Sequence, residues 1–185
     1  MKTLYVFAGN NGSGKSTFRS LIKNEIFTMQ DIDDEYIEQY LMSEGVSDHM
    51  LESGKVTIKR IQDNITKGVN FSFETTLSSK FSVRQIIEAS NQGYYVVMYY
   101  LYTDDIEINM ERALYSRLSN KHKVRREDFI RRDIRSIENL VALRLHIDKL
   151  YVNNTGKQGE RVAEMIHGAI FDYSTNTPVW LYELY

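Results

Sequence analysis

Apolar residues along the chain form short runs, and these are separated by longer segments with the character of helices. Five of the runs predict β-strands, at residues 3–8, 25–30, 69–74, 94–102 and 148–153. The run at 94–102, YYVVMYYLY, is the strongest of them, because it is unbroken and rich in aromatic and β-branched residues. The pattern therefore predicts a sheet.

The segments between the runs predict helices, so the two kinds of element alternate. Helices are expected over about 15–24, 34–67, 80–91, 104–118, 126–147 and 157–171, with a break near Gly45 and a candidate second break near Gly54. Residues 178–185 predict either a short edge strand or a docked extension. This alternation favours an α/β fold, a three-layer sandwich in which a mostly parallel sheet of about five strands has helices on both faces.

The composition fits a single globular domain over residues 1–185. Apolar residues make up 42% of the chain and charged residues 26%, and no Gly/Ser-rich linker divides it. The net charge of −2 argues against a generally basic nucleic-acid binder. The lack of cysteine excludes disulfides and thiol chemistry, and the four histidines have no metal-ligand spacing. No apolar run approaches the roughly 20 residues of a membrane span and no signal peptide is visible, so we expect a cytoplasmic protein.

The most specific motif lies between the first predicted strand and the first predicted helix. Residues 9–17 are GNNGSGKST, which matches the phosphate-loop pattern G-x-x-x-x-G-K-[ST] in full. The predicted nucleotide-binding residues are Gly9, Asn10, Asn11, Gly12, Ser13, Gly14, Lys15, Ser16 and Thr17. In such a loop the lysine reaches the β- and γ-phosphates and the Ser16 hydroxyl is a ligand for Mg²⁺. The motif predicts a P-loop NTPase fold that binds ATP or another nucleoside triphosphate together with Mg²⁺.

An acidic cluster follows the second predicted strand, and it helps to identify the class of P-loop protein. The chain has neither the Asn/Thr-Lys-x-Asp motif of GTP switches nor the LSGGQ-like motif of transporter ATPases. A carboxylate at this position suits the base that takes the proton of an acceptor hydroxyl in a small kinase. We predict Asp33 as this base, with Asp31 as second choice on the substrate side. The alternative is that Asp33 or Asp34 caps the next helix.

The third predicted strand ends in a second candidate group, Glu74, Thr75 and Thr76. A carboxylate at the end of an apolar strand is costly to bury without partners. We expect Glu74 to hold Mg²⁺ through water or to bind a substrate hydroxyl, and its alternative is a solvated residue at the strand end. The two threonines either offer hydroxyls to a substrate or begin the next turn.

Residues 112–135 are strongly basic, with nine cationic and three anionic side chains. Two helices of this composition, joined by a polar loop, predict a lid over the triphosphate, in which arginine spreads the charge of the transition state. Arg112 and Arg117 are the candidates. They lie five positions apart, which is roughly 140° around a helix, so both face one phosphate only if the helix is irregular. The alternatives are a solvated charged hairpin or a nucleic-acid surface, although an aromatic stacking platform is missing.

These motifs together resemble the zeta-toxin family of P-loop kinases, in particular its short bacterial members. The resemblance rests on six stretches, GNNGSGKST at 9–17, DID at 31–33, FSFETTLSS at 71–79, GYYVVMYYLY at 93–102, the run from Glu111 through RRDIRSIENL at 131–140, and YVNNT at 151–155. The loop at 120–125 departs from the family, because it lacks two glycines and a proline.

The resemblance implies a sugar-nucleotide kinase, with 3'-phosphorylation of UDP-N-acetylglucosamine as the family's activity. By position, Asp33 matches the family's catalytic base, and Lys15 and Ser16 match its nucleotide and Mg²⁺ residues. Arg112 is similar to an arginine that contacts the γ-phosphate, and Glu74 and Thr76 fall on the substrate side. The implied partners are a small-molecule acceptor, such as a UDP-sugar, and an antitoxin protein.

Two other functions remain open at this stage. One is a non-enzymatic or regulatory nucleotide-binding module, and the other is a polynucleotide-end kinase that uses the basic segment. Salt-sensitive binding of oligonucleotides would favour the second.

Overall fold

The computed structural model describes residues 1–26, 30–115, 125–156, 159–173 and 177–184, and within them the strands form one seven-stranded sheet. The strands are β1 (Thr3–Ala8), β2 (Gln30–Ile32), β3 (Phe71–Thr75), β4 (Tyr95–Tyr102), β5 (Lys149–Asn154), β6 (Glu160–Ile166) and β7 (Ala169–Tyr173). Their order across the sheet is β2-β3-β1-β4-β5-β6-β7. The first five in this order are parallel, and β6 and β7 are antiparallel.

The helices confirm the predicted α/β architecture with a mostly parallel sheet. They are α1 (Lys15–Ile22), α2 (Asp34–Ser43), α3 (His49–Lys67), α4 (Lys80–Asn91), α5 (Ile106–Tyr115) and α6 (Arg126–Ala142). The predicted break near Gly45 is correct, since this residue follows α2 with a φ of 77°. The candidate break near Gly54 is wrong, because α3 continues through it without interruption. Residues 116–124, which include Arg117, lie outside the described residues.

The two faces of the sheet are packed differently. On β1, Leu4, Val6 and Ala8 are buried in the main core. The helices contribute apolar residues to the same core, among them Ile61 and Ile65 of α3, Ile86 and Ala89 of α4, and Leu140 of α6. Phe7 belongs to the opposite face, where its ring stacks on that of Tyr99 at 5.3 Å, and Phe18 of α1 packs against Tyr99. This alternation follows from the two-residue period of a strand.

The predicted helix at 157–171 is wrong, because the described part of this segment is the hairpin of β6 and β7. His167 and Gly168, between the two strands, have φ values of 49° and 80°. Two consecutive left-handed residues form the type I′ turn, whose twist matches that of paired strands. Val162, Ala163 and Met165 are buried where β6 pairs with β5. Pairing with the open edge of β5 therefore outweighs local helix propensity, and the sheet has seven strands rather than about five.

The C-terminal segment docks on the core, as one of its two predicted forms requires. Val179–Leu184 is a 3-10 helix in which Leu181 and Leu184 are buried. The ring of Trp180 packs edge-on against Tyr100 and Tyr102, at 5.5 and 5.4 Å. Among the described residues, no helix combines the length and the apolar character that crossing a membrane requires.

Candidate active site

The phosphate loop joins the end of β1 to the start of α1, as the motif predicts. Gly12 has a φ of 75°, and a Cβ on it would lie 2.0 Å from the carbonyl oxygen of Asn109 in α5. Gly14 has a φ of 84° and precedes the first turn of α1, but a Cβ there would meet open space. Gly12 therefore allows α5 to pack on the loop, whereas the space beside Gly14 lies at a helix N-terminus, a favourable place for an anion.

Lys15 lies across the loop, where its ammonium group donates hydrogen bonds to the carbonyls of Gly9 and Asn10, at 2.9 and 3.0 Å. The far side of the loop is held by Thr155, whose hydroxyl donates to the carbonyl of Ser13 at 2.8 Å. Thr155 follows β5, which is separated from β1 by β4, so this hydrogen bond ties the loop to a strand that is not adjacent to its own. The lysine is thus placed beside the backbone that would surround a triphosphate.

Two asparagines of the loop have different surroundings. Asn10 is buried, and its side-chain amide donates to the carbonyl of Phe129 at 3.0 Å and to Asp133 at 3.4 Å. Burial raises the pKa of the Asp133 carboxyl, and the hydrogen bond from Asn10 lowers it in part. Asn11 instead lines the adjacent cleft. The loop is therefore tied to α6 through Asn10. Thr17 lies exposed on α1.

The acidic residues at the ends of β2 and β3 meet α1. The Ser16 hydroxyl donates a 2.9 Å hydrogen bond to Glu74 Oε2. Burial raises the pKa of the Glu74 carboxyl and the nearby Asp33 adds to this, whereas Arg19 and Lys15 lower it. A hydroxyl and a carboxylate this close are hard oxygen donors of the kind that Mg²⁺ uses beside phosphate oxygens. These two residues therefore fit a magnesium ion.

Asp33 caps the next helix, as one of the two interpretations of the sequence holds, and it also lies at the candidate site. Its side chain accepts a hydrogen bond from the backbone N–H of Tyr36, which caps the N-terminus of α2, and it also lines the cleft beside Lys15. Asp34, the next residue, accepts a hydrogen bond from the buried Thr57 of α3 at 2.8 Å. Capping therefore fixes Asp33 at the mouth of the cleft without removing it from the site.

Asp31 is separated from this group. It lies within β2 rather than after it, and it accepts a hydrogen bond from the hydroxyl of Ser72 on β3. It does not belong to the described residues that line the cleft. The sequence pattern ends this strand at residue 30 and so places Asp31 after the strand, in one cluster with Asp33, whereas β2 runs from Gln30 to Ile32.

The sequence analysis missed Arg19. Its guanidinium lies 2.8 Å from Asp33 Oδ2 and 3.2 Å from Glu74 Oε1, and its side chain is only 16% exposed. The signal was present in the sequence, since Arg19 follows Lys15 by four positions and Ser16 by three, the spacing of neighbours on one helix face.

The cleft beside these residues has a volume of about 420 Å³. Its lining includes both hydroxyl-bearing and apolar residues. The hydroxyl-bearing residues are Thr57, Thr75, Thr76, Ser79 and Ser82, and the apolar ones are Ile58, Ile61, Phe73 and Phe81. The hydroxyl of Thr75 accepts from the N–H of Leu77, and that of Thr76 lies 2.8 Å from Ser78 Oγ. The cleft has the size and the lining for a small polyhydroxylated molecule.

Arg112 lies on the other side of the phosphate loop. It is exposed on α5 and donates to the carbonyl of Gly156 at 3.1 Å, next to Thr155. The structure therefore does not bring it together with Asp33 and Glu74, and Arg117 lies outside the described residues. No group of three or more acidic or histidine side chains within the described ranges could hold a metal by itself. A magnesium ion here would depend on phosphate oxygens and water for its other ligands.

Comparison with known proteins identifies the family of the chain. Residues 1–145 match the sequence model of the Zeta toxin family. An uncharacterised protein of Haemophilus influenzae is 28% identical over 106 residues, which cover 57% of this chain and 74% of that protein.

Two solved structures show the likeness of fold. A chain of the AvrRxo1-ORF1:ORF2 complex with ATP matches with a TM-score of 0.67 and 13% identity, over 93% of this chain and 60% of that one. A chain of the PezAT toxin–antitoxin system of Streptococcus pneumoniae matches with a TM-score of 0.64 and 18% identity, over 89% and 72%. The chain thus spans less than two thirds of the AvrRxo1 chain. Because the family model covers most of the sequence and the architecture is that of a P-loop kinase, the chain belongs to the Zeta toxin family.

Proposed function

We propose that the protein transfers the γ-phosphoryl group of ATP to a hydroxyl of a small acceptor in the presence of Mg²⁺. The observation that supports this most is the meeting of Lys15 and Ser16 with Asp33 and Glu74 around one cleft. Lys15 and Ser16 would hold the triphosphate and its magnesium ion. In this proposal an acceptor approaches the terminal phosphate from the side of Asp33 and Glu74. In an α/β sheet this edge, at the carboxyl ends of the strands, is where ligands bind.

Each residue has a defined part in the proposed reaction. Lys15 and the loop backbone bind the β- and γ-phosphates, while Ser16 and Glu74 hold Mg²⁺, Glu74 directly or through water. Bound Mg²⁺ neutralises charge on the phosphate oxygens. The acceptor oxygen forms a bond to the γ-phosphorus as the bond to the bridging oxygen of ADP breaks, and the hydroxyl proton passes to the Asp33 carboxylate. Positioning and electrostatics supply most of the rate enhancement.

The acceptor proposed first is a UDP-sugar such as UDP-N-acetylglucosamine, as the family resemblance implies. The hydroxyl-bearing residues of the cleft suit the ring hydroxyls of a sugar, and its apolar residues suit the carbon face. Thr75, Thr76 and Asp34 are positioned to contact these hydroxyls. Asp31 is the weakest of the proposed substrate residues, because it is hydrogen-bonded to Ser72 and is not among the described residues that line the cleft.

We further propose that residues 112–135 serve as the lid of a single domain over 1–185. Both helices that flank the segment 116–124 touch the phosphate loop, α5 through Asn109 against Gly12 and α6 through Phe129 on Asn10. Arg112 and Arg117 are the proposed sources of positive charge for the transferred phosphate. An antitoxin protein is a further proposed partner, and the cytoplasm is the proposed location, where ATP and Mg²⁺ are available.

The test is a phosphotransfer assay with purified protein, ATP and Mg²⁺ and a panel of UDP-sugars, nucleosides and oligonucleotides. We expect ADP release that depends on a UDP-sugar, with a product heavier by one phosphate in mass spectrometry. Binding of ATP without ADP release for any acceptor would instead favour the non-enzymatic module. Release with oligonucleotides alone would favour the polynucleotide kinase.

A further inference from the structure

Arg19 joins the two halves of the proposed site through one guanidinium group. One terminal nitrogen lies 2.8 Å from Asp33 Oδ2 and forms a hydrogen bond with it. The other lies 3.2 Å from Glu74 Oε1, in a charge contact without hydrogen-bond alignment. The three side chains are 16%, 23% and 10% exposed, in the order arginine, aspartate, glutamate. Water therefore screens these charges only in part.

Three of the four carboxylate oxygens accept a hydrogen bond, and the fourth, Glu74 Oε1, has only the charge contact with Arg19. Asp33 Oδ1 accepts from the N–H of Tyr36, and Oδ2 accepts from Arg19. Glu74 Oε2 accepts from Ser16, and Oε1 faces Arg19. Arg19 is thus the link between the proposed base, at the start of α2, and the proposed magnesium residues, at the end of β3 and on α1.

The link starts from the helix that carries the phosphate-binding residues. Lys15 is the first residue of α1 and Ser16 the second, and Arg19 lies one turn further along the same helix. A rigid helix of this kind sets the distance between the residues that would hold the γ-phosphate and the group that positions Asp33. A shift of about 1 Å at a reacting group can cost on the order of 10²-fold in rate.

We infer that Arg19 is a positioning residue, which fixes the Asp33 carboxylate relative to the phosphate loop and to Glu74. This inference rests on the proposed phosphoryl transfer. Arginine suits the task because its planar fork reaches two carboxylates at once, whereas a lysine ammonium is a point charge on a flexible stem. Simple stabilisation is a poorer explanation, since the desolvation cost of a buried ion pair often offsets its attraction.

The experiment compares Arg19→Gln and Arg19→Lys with the native enzyme and with a matched control. The control is Arg161→Gln, which removes an arginine that pairs with Glu164 on β6, away from the cleft. For each protein we would measure kcat, the KM for ATP, the binding of an ATP analogue and the unfolding midpoint in urea. We expect kcat of Arg19→Gln to fall by about 10²-fold, with ATP affinity unchanged. The lysine variant should recover only part of this loss, because lysine keeps the charge but not the planar fork.

Addition of millimolar methylguanidine to Arg19→Ala gives a second readout, because the free cation can occupy the vacated space. A gain in kcat, absent for Arg161→Ala, would support positioning, since a general loss of folding cannot be reversed in this way. Unchanged kcat in Arg19→Gln, or losses of kcat and ATP affinity in equal measure, would overturn the inference.

A double-mutant cycle tests the link without any acceptor. The urea unfolding of Arg19→Gln, Asp33→Asn and the double variant should be non-additive if the two side chains interact as described. Additive effects would overturn the inference by themselves. If the native protein transfers phosphate to no acceptor, the proposed function fails. In that case the double-mutant cycle still tests whether Arg19 and Asp33 interact.

Discussion

The Ser16 hydroxyl donates a 2.9 Å hydrogen bond to Glu74 Oε2, so side chains 58 positions apart in the chain meet at the mouth of the cleft. Ser16 belongs to the first turn of α1 and Glu74 to the end of β3, which are adjacent because β1 and β3 are parallel neighbours. The contact brings two hard oxygen donors side by side. A cation bound by both oxygens can replace the hydrogen bond between them.

Glu74→Gln should raise the Mg²⁺ concentration needed for half-maximal activity by about 10–100-fold, because an amide oxygen is a weaker magnesium ligand than a carboxylate. The measurement is a Mg²⁺ titration of ADP release at fixed ATP. Glu52→Gln is the control, since Glu52 pairs with the exposed Lys55 on α3 and is not among the described residues that line the cleft. An identical Mg²⁺ dependence in Glu74→Gln and Glu52→Gln would contradict the magnesium role.

Asp33→Asn separates the chemical role of this residue from its structural one. Asparagine caps helices about as well as aspartate, so Asp33→Asn keeps the cap and loses only the ionic contact with Arg19, while phosphotransfer should fall by about 10²–10⁴-fold because the base is lost. Asp33→Ala should lose in addition about 1 kcal/mol of stability. Steady-state kinetics and urea unfolding measure the two effects. Asp48→Asn, at the start of α3 and without a capping side-chain bond, is the control. Native turnover in Asp33→Asn would show that another group takes the proton.

Two glycines of the phosphate loop should respond differently to alanine. Each has a positive φ, which costs about 1–2 kcal/mol for a residue with a side chain. Gly12→Ala adds a clash with the backbone carbonyl of Asn109, so we expect a larger fall in Tm and loss of the thermal shift caused by ATP. Gly14→Ala adds a Cβ that contacts no other atom. Its Tm should therefore fall only because of the backbone strain, by about 2–4 °C for each kcal/mol. Equal melting temperatures for the two variants would mean that α5 does not pack on the loop.

The stability of the protein should depend on pH through Asp133. Burial raises the pKa of this carboxyl in the folded state, so the folded protein binds its proton more tightly than the unfolded chain does. The free energy of unfolding contributed by Asp133 should therefore decrease as the pH rises from about 4 through the raised pKa.

Asp133→Asn removes this decrease and keeps an oxygen that can accept from Asn10. Urea unfolding between about pH 4 and pH 7 should show the native protein losing stability relative to Asp133→Asn as the pH increases. Asp63→Asn, on the exposed side of α3, should run parallel to the native curve. A native protein that instead gains stability relative to Asp133→Asn as the pH rises would have the opposite sign and contradict the burial of this carboxyl.

Local signals in the sequence determined the parallel strands, most of the helices and the phosphate loop. The run at 94–102 is apolar because β4 is buried in the middle of the sheet, and GNNGSGKST has the glycines that a tight turn before a helix requires. Such features depend on residues close together in the chain, so a pattern can reveal them. The acidic cluster after the second predicted strand pointed to Asp33 as the base, and the family resemblance gave this residue the same role.

Only the tertiary structure decided which polar groups meet and how the chain ends. The segment 160–173 has residues that suit a helix, but the open edge of β5 offers hydrogen bonds and burial that a strand alone can use. The local sequence of α1 does not show which side chains Arg19 contacts. The fold of β2 and β3 brings Asp33 and Glu74 to either side of its guanidinium group. The physical reason is the same in both cases. The partners lie far apart in sequence, and their contact energy exists only once the sheet has brought them together.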